Sequence, residues 1–228
     1  FLEPVLRHAR SVIVSSEEAA QKISEIRDDL PILVMPLAHE ICEPVTQWPS
    51  EQLVVSVGWI DASKRPDEVV HSLARMSARL LFVGEASDEV QEQIMTLAEK
   101  LGMAARVSFT GRLSDDEYDR TLRSASLGIQ LRLNGGRGER SAAVNDLRSR
   151  GIPVICDIGY EESFSIDEIE QHARELLYEE SVWKAASEES LAISRAWTFS
   201  DVSKSLTTWV TRSPGHEAAT IHQATSLG

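Results

Sequence analysis

The sequence predicts an α/β fold built on a parallel, doubly wound sheet. Two observations carry this. Apolar runs of strand length alternate about five times with stretches of helical periodicity between residues 53 and 156, the rhythm of a parallel sheet covered by helices on both faces. Three successive runs also end in glycine, at Gly58, Gly84 and Gly111. A glycine at the carboxyl end of a strand permits a tight turn and close backbone approach by a ligand, although such turns also occur in any α/β domain.

The elements follow in order. A short strand over 11–14 precedes a helix over 16–26 and a second apolar stretch, 32–35, closed by Pro36. The polar, proline-bearing segment 43–50 reads as a linker or boundary. The continuous apolar run 53–57 is a strand covered on both faces. A helix over 66–78 follows, with Val70, Leu73 and Ala74 at helical spacing and Pro66 in its first turn. A strand at 80–83 leads to a helix over 88–101, whose stripe is Val90, Ile94, Leu97 and Leu101. After a strand at 107–110, Ser114 and Glu117 have the spacing of a capping box, and the helix they open turns Tyr118 and Leu122 inward. A strand at 127–131, a glycine- and arginine-rich loop at 134–140, a helix over 141–150 and a strand at 152–156 complete the pattern. The remainder is helical, with Trp183, Trp197 and Trp209 as packing anchors and a frayed tail after Pro214.

Composition narrows the function. A chain of 228 residues with 42% hydrophobic and 26% charged residues is that of an ordinary globular protein. A net charge of -13 argues against nucleic acid as a partner, while a local pocket can still hold a small anion. No apolar run approaches the roughly 20 residues that span a bilayer. Residues 1–10 are charged throughout, without the apolar centre of a secretion signal, and the lack of an initial Met reads as a cut inside a longer protein. Cys42 and Cys156, far apart in sequence, read as reduced thiols, which suits the cytoplasm. The six histidines show no metal-ligand spacing, so no metal is expected.

Neither a Gly-x-Gly-x-x-Gly fingerprint nor a Gly-x-x-x-x-Gly-Lys-Ser/Thr loop is present, which sets aside the usual dinucleotide site and the kinases and GTPases. No acidic cluster follows the first strand of the regular pattern, as a response-regulator domain would require. Lys64, six residues after Gly58, reads from position alone as a surface lysine, yet from that loop it can set a point charge beside a phosphate. The segment Asn134-Gly-Gly-Arg-Gly-Glu-Arg-Ser141 joins a strand to a helix start, where free amides and the helix dipole favour an anion. Ser141 can cap that helix, Arg137 and Arg140 can add charge-assisted bonds, and Glu139 and Asp146, two turns apart, can face one cleft.

Residues 54–67, Val-Val-Ser-Val-Gly-Trp-Ile-Asp-Ala-Ser-Lys-Arg-Pro-Asp, resemble the opening of the C-terminal domain of family-four GT-B glycosyltransferases. Leu81-Phe-Val-Gly84, Val107-Ser-Phe-Thr-Gly111 and Gly151-Ile-Pro-Val-Ile155 are similar to later signposts of that domain, in the same order. Val12-Ile-Val-Ser-Ser16 resembles the last strand of the preceding domain, so the likeness covers most of 11–212.

The resemblance implies a Rossmann-like donor domain, one half of a GT-B architecture. It divides the chain into the end of an N-terminal domain with its linker (1–48), the nucleotide-sugar-binding unit (49–196) and a terminal helix with tail (197–228). It implies sugar transfer with retention from a nucleotide diphosphate sugar, UDP- or GDP-linked, without a cofactor or required metal. Lys64 would meet the donor diphosphate, Asp146 the ribose, and Glu139 the sugar hydroxyls. Gly58, Arg137, Arg140 and Ser141 would surround the diphosphate, while Gly111 and Arg112 border the base. Two positions depart from the family pattern: Trp59 stands where an arginine is usual, and the first acid of the pair falls at Gly138, one before Glu139. The acceptor would sit mainly on a missing N-terminal domain, so this chain alone would transfer little sugar. Any peripheral contact with the inner face of a membrane would run through that half, and the family suggests envelope polysaccharide or glycolipid assembly. A sugar-nucleotide epimerase of the same paired-domain fold and a non-catalytic scaffold are the alternatives.

Overall fold

The computed structural model describes residues 3–40, 42–133, 141–158, 163–195 and 198–211. Its centre is a five-stranded, wholly parallel sheet of β3 (Leu53–Val57), β4 (Arg79–Val83), β5 (Val107–Phe109), β6 (Leu127–Gln130) and β7 (Val154–Cys156), in the spatial order β5-β4-β3-β6-β7. The chain winds outwards from β3 in one direction, then returns to its other side with β6. That reversal creates a crevice beyond the carboxyl ends of the strands, where ligands bind in open α/β sheets.

Alternation along each strand divides the core. Val54, Leu80 and Phe82 face one layer with α3 (Pro66–Leu73), α4 (Asp88–Lys100) and α7 (Ile166–Tyr178). Leu53, Val55, Val57 and Val83 face the other, against Leu122 of α5 (Asp115–Arg123) and Leu147 of α6 (Ala142–Arg148). Gly128 has a packing reason: a Cβ there would lie 2.5 Å from Leu147 Cδ1, so a side chain would have to displace that leucine of α6. The capping box on α5 forms as expected, with the Glu117 carboxylate accepting from the Ser114 N–H at 3.0 Å and Ser114 Oγ accepting from the Glu117 N–H at 3.4 Å.

Before this unit lie α1 (Glu3–Leu6), β1 (Val12–Val14), α2 (Glu17–Ile26) and β2 (Ile32–Val34). Here β1 and β2 pair in parallel over a small core of Leu6, Ile23 and Leu30. Segment 43–50 is irregular and tied to the five-stranded unit. The Val45 N–H donates to the Arg150 carbonyl at 2.8 Å, and Trp48 meets Trp183 edge to face at 5.7 Å.

Several expectations need correction. The helix expected over 66–78 ends at Leu73, and Arg106 donates to the carbonyls of Ala74, Met76 and Ala78 in the turn beyond it. The last strand begins at Val154 instead of 152, after Pro153, which has no N–H for the ladder. Trp183, on α8 (Glu180–Ser194), is a buried anchor whose indole N–H donates to the Ser126 carbonyl at 2.7 Å. Trp209 is only half-buried, because α9 (Phe199–Thr211) buries none of its residues. Trp197 lies outside the described residues. Cys42 and Cys156 are both free, and no described helix is long and apolar enough to cross a membrane.

Candidate functional site

A cavity of about 500 Å³ opens at the carboxyl ends of β3, β4 and β5. Its floor is three glycine turns: Gly58 after β3, Gly84 after β4 and Gly111 after β5, with φ of 107°, 133° and 64°. Gly84 is irreplaceable on two counts. Its φ lies in the region that side chains avoid, and a Cβ there would sit 2.2 Å from the Gly58 carbonyl oxygen. It is lined further by Trp59, Glu85, Arg112 and Leu113 from the turns, Asp115 and Tyr118 of α5, and Ala142, Ala143 and Asp146 of α6.

Of the residues expected from sequence, Gly58, Gly111, Arg112 and Asp146 therefore come together in one cavity. Ser141 caps α6, its Oγ accepting from the Val144 N–H at 3.3 Å, and so holds Ala142 and Ala143 at the rim. Arg137, Glu139 and Arg140 lie outside the described residues. Among the described lining residues the charges are Glu85, Asp115 and Asp146 against Arg112, so the open face is mainly acidic.

Lys64 is not a surface lysine. It ends a short 3-10 turn, Ala62–Lys64, and is 6% exposed. Its Nζ donates to the Val57 carbonyl and lies 3.1 Å from where a Cβ on Gly58 would be. Gly58, part of the cavity floor, thus lies directly against the ammonium, where a side chain would crowd it. Burial, reinforced by Arg132 and opposed by Asp61, pushes the Lys64 pKa down to about 8. Beside it Gln130 turns its amide to the Val57 backbone, oxygen to N–H at 2.6 Å and nitrogen to carbonyl at 3.3 Å.

Behind Lys64 stands a cluster that sequence reasoning missed. Arg65 adopts a left-handed conformation, φ 52° and ψ 47°, uncommon outside glycine and held here by its side chain. Its guanidinium donates to Asp157 at 2.5 Å, to both Glu68 oxygens at 2.9 and 2.5 Å, and to the Phe164 carbonyl at 2.6 Å. Asp157 is fully buried, and burial pushes its carboxyl above the usual range, against the backbone N–H of Arg132 at 2.8 Å and the charge of Arg65. The Arg132 guanidinium in turn donates to Ser63 Oγ at 2.9 Å. One carboxylate thus joins the ends of β6 and β7 to the turn that carries Lys64. The single signal for it in the sequence is that Asp157 directly follows the last strand, on the edge where such folds place their sites.

The fold and site define a doubly wound α/β domain with its cleft at the strand switch. The family model described as "Glycosyl transferases group 1" matches residues 43–182, more than half of the chain, and the chain belongs to that family. No curated protein matches it in sequence. Among solved structures it is similar to Anabaena HepE in complex with UDP and glucose, with a TM-score of 0.76 and 14% identity over 92% of this chain and 67% of that one. It is similar to a Staphylococcus aureus TarM variant in complex with fondaparinux, α-GlcNAc-glycerol and UDP, at a TM-score of 0.77 and 14% identity over 92% of this chain and 45% of that one. Sucrose-phosphate synthase of Thermosynechococcus elongatus matches at 0.76 and 13% identity over 91% of this chain and 59% of that one. The chain thus spans between 45% and 67% of the length of these three.

Proposed function

We propose that this chain is the donor-binding half of a retaining glycosyltransferase and that its cavity holds a nucleoside diphosphate sugar. The observation that carries the reading is the cavity over Gly58, Gly84 and Gly111, with Asp146 on its wall and Lys64 beneath its floor. The base lies against Gly111 and Arg112, and the ribose hydroxyls meet Asp146. The diphosphate reaches the Gly58 turn, where Lys64 and the arginines of segment 134–140 supply positive charge. UDP is the first candidate, because UDP is the nucleotide in the HepE and TarM complexes. GDP is the alternative.

The hard part of the transfer is charge that grows on the departing diphosphate as the anomeric bond breaks. Donors already aimed at that charge lower the barrier without reorganising. Lys64 is such a donor once its ammonium turns from the Val57 carbonyl to the phosphate. Glu139 contacts the sugar hydroxyls. In this reading the transferred group is a hexose, no metal is needed, residues 1–48 close a preceding domain that carries the acceptor, and the enzyme works in the cytoplasm. The isolated chain then binds donor but transfers little sugar.

Calorimetric titration with UDP, GDP and ADP tests this. Saturable binding of one nucleotide is expected, weakened about tenfold or more by Lys64→Ala and by Asp146→Ala, since hydrogen bonds to charged groups are worth about 1.5–3 kcal/mol. Binding of none of them by the wild-type chain contradicts the reading and favours a scaffold role.

A further inference from the structure

Asp146 does not stand alone on the cavity wall. The Tyr118 hydroxyl donates to its Oδ2 at 2.8 Å, from one helix to the next. Tyr118 sits four residues past the Ser114 cap, on the α5 face that meets α6, and lines the same cavity. Burial foremost, then the Asp146 charge, raises its phenol far above the ordinary value, so the hydroxyl keeps its proton and remains a donor.

The backbone behind this pair is fixed as well. The Asp146 carbonyl accepts from Arg150 Nη1 at 2.7 Å and from Ser149 Oγ at 3.0 Å. Arg150, 8% exposed, is itself held by Asp119, the neighbour of Tyr118, at 2.9 and 2.7 Å. Two adjacent residues of α5 therefore grip α6. Asp119 holds the helix from behind through Arg150, and Tyr118 holds the carboxylate itself on the cavity side. Among the described residues the Tyr118 hydroxyl is the donor that meets that carboxylate, at Oδ2.

We propose that Tyr118 is a positioning residue for nucleoside recognition: its hydroxyl fixes the Asp146 carboxylate so that the second oxygen faces the ribose hydroxyls. This rests on the donor-binding reading above. An aspartate has two side-chain torsions to lose, and a carboxylate already held in place gives up less freedom when the ligand arrives. The Tyr118 ring packs against the cluster of Leu122 and Leu147, and Tyr118→Phe keeps that ring while removing only the hydroxyl.

The test compares UDP with 2′,3′-dideoxy-UDP on the same preparations of the full chain, by calorimetry. Wild type should prefer UDP by about tenfold or more, the range for hydrogen bonds to a charged group. In Tyr118→Phe the ring and its packing remain; UDP should weaken about five- to tenfold while dideoxy-UDP stays within about twofold, so the preference collapses. Asp146→Ala should abolish the preference, and adding Tyr118→Phe to it should change nothing further. A ratio of two affinities does not depend on the fraction of protein that is folded. Equal weakening of both ligands, an unchanged ratio, or tighter UDP binding in Tyr118→Phe would overturn the positioning role while leaving the donor site standing. A wild-type chain that binds UDP, GDP and ADP not at all would overturn both.

Discussion

The two sides of the Gly58 turn are built on opposite principles. On the open side the cavity presents backbone, small side chains and carboxylates, with Asp146 half-buried and Arg112 exposed. On the closed side Lys64 is buried against the Val57 carbonyl, and Arg65 and Asp157 are buried in a hydrogen-bonded cluster joined to Arg132. A nucleoside needs shape and hydroxyl partners, which the open side offers. A diphosphate needs concentrated positive charge, and the fold keeps part of that charge behind glycine. Under the proposed function both sides act on the ligand, the open side through Asp146 and the closed side through Lys64, while Arg65 and Asp157 tie the turn to the sheet.

The largest effect should come from breaking the closed side. Asp157→Ala takes one of two carboxylates from the buried Arg65 guanidinium and the acceptor from the Arg132 N–H, and should cost about 3 kcal/mol in urea unfolding, the low end for a buried pair that loses one partner because Glu68 remains. Asp146→Ala, on the open side, should stay within about 1 kcal/mol while it impairs nucleotide binding. Similar stability losses for the two would break the comparison.

Lys64 sharpens it through pH. Its folded value of about 8 lies below the ordinary 10.5, so between those limits the unfolded chain binds a proton that the folded chain does not. Stability should therefore rise as pH climbs from about 8 to 10.5, by an amount of order 3 kcal/mol, and be level for this group below that window. Lys64→Met should lose that rise in chemical denaturation followed across pH. A variant with the same pH slope as wild type would mean that the ammonium is not buried.

Gly84→Ala comes next, because the new methyl meets the Gly58 carbonyl oxygen at 2.2 Å. Backbone strain of about 1–3 kcal/mol is expected in thermal unfolding, together with loss of nucleotide binding as the floor shifts. The smallest effect is Ser114→Ala, which removes the cap that sets the phase of α5. It should cost about 1 kcal/mol and leave the nucleotide preference nearly unchanged, since packing of Leu122 still orients the helix.

How far all this could be read from residues depends on which force decides each feature. Continuous apolar runs closed by glycine identify β3 and β4 without help, because burial on both faces leaves no other pattern. Helix ends are less legible: α3 stops at Leu73, and the carbonyls of Met76 and Ala78 beyond it are met by Arg106 from a distant segment, which no local signal announces. In the site, Gly58, Gly111 and Asp146 were visible from turn chemistry and spacing. Tyr118 was visible as an inward residue of α5, but its bond to Asp146 depends on how two helices pack. Arg65 and Asp157, far apart in sequence, were invisible because nothing in either segment names the other. The burial of Lys64 was likewise hidden, since a lysine in a loop gives no sign of facing inward.

Under the proposed function the cavity over the three glycine turns binds a nucleoside diphosphate with its ribose on Asp146. A crystal structure of the chain soaked with UDP tests this. A base against Gly111 and Arg112 is expected, with ribose hydroxyls within hydrogen-bond reach of the Asp146 carboxylate and the diphosphate at the Gly58 turn with Lys64 swung towards it. UDP bound elsewhere, or a ribose held without Asp146, would contradict it.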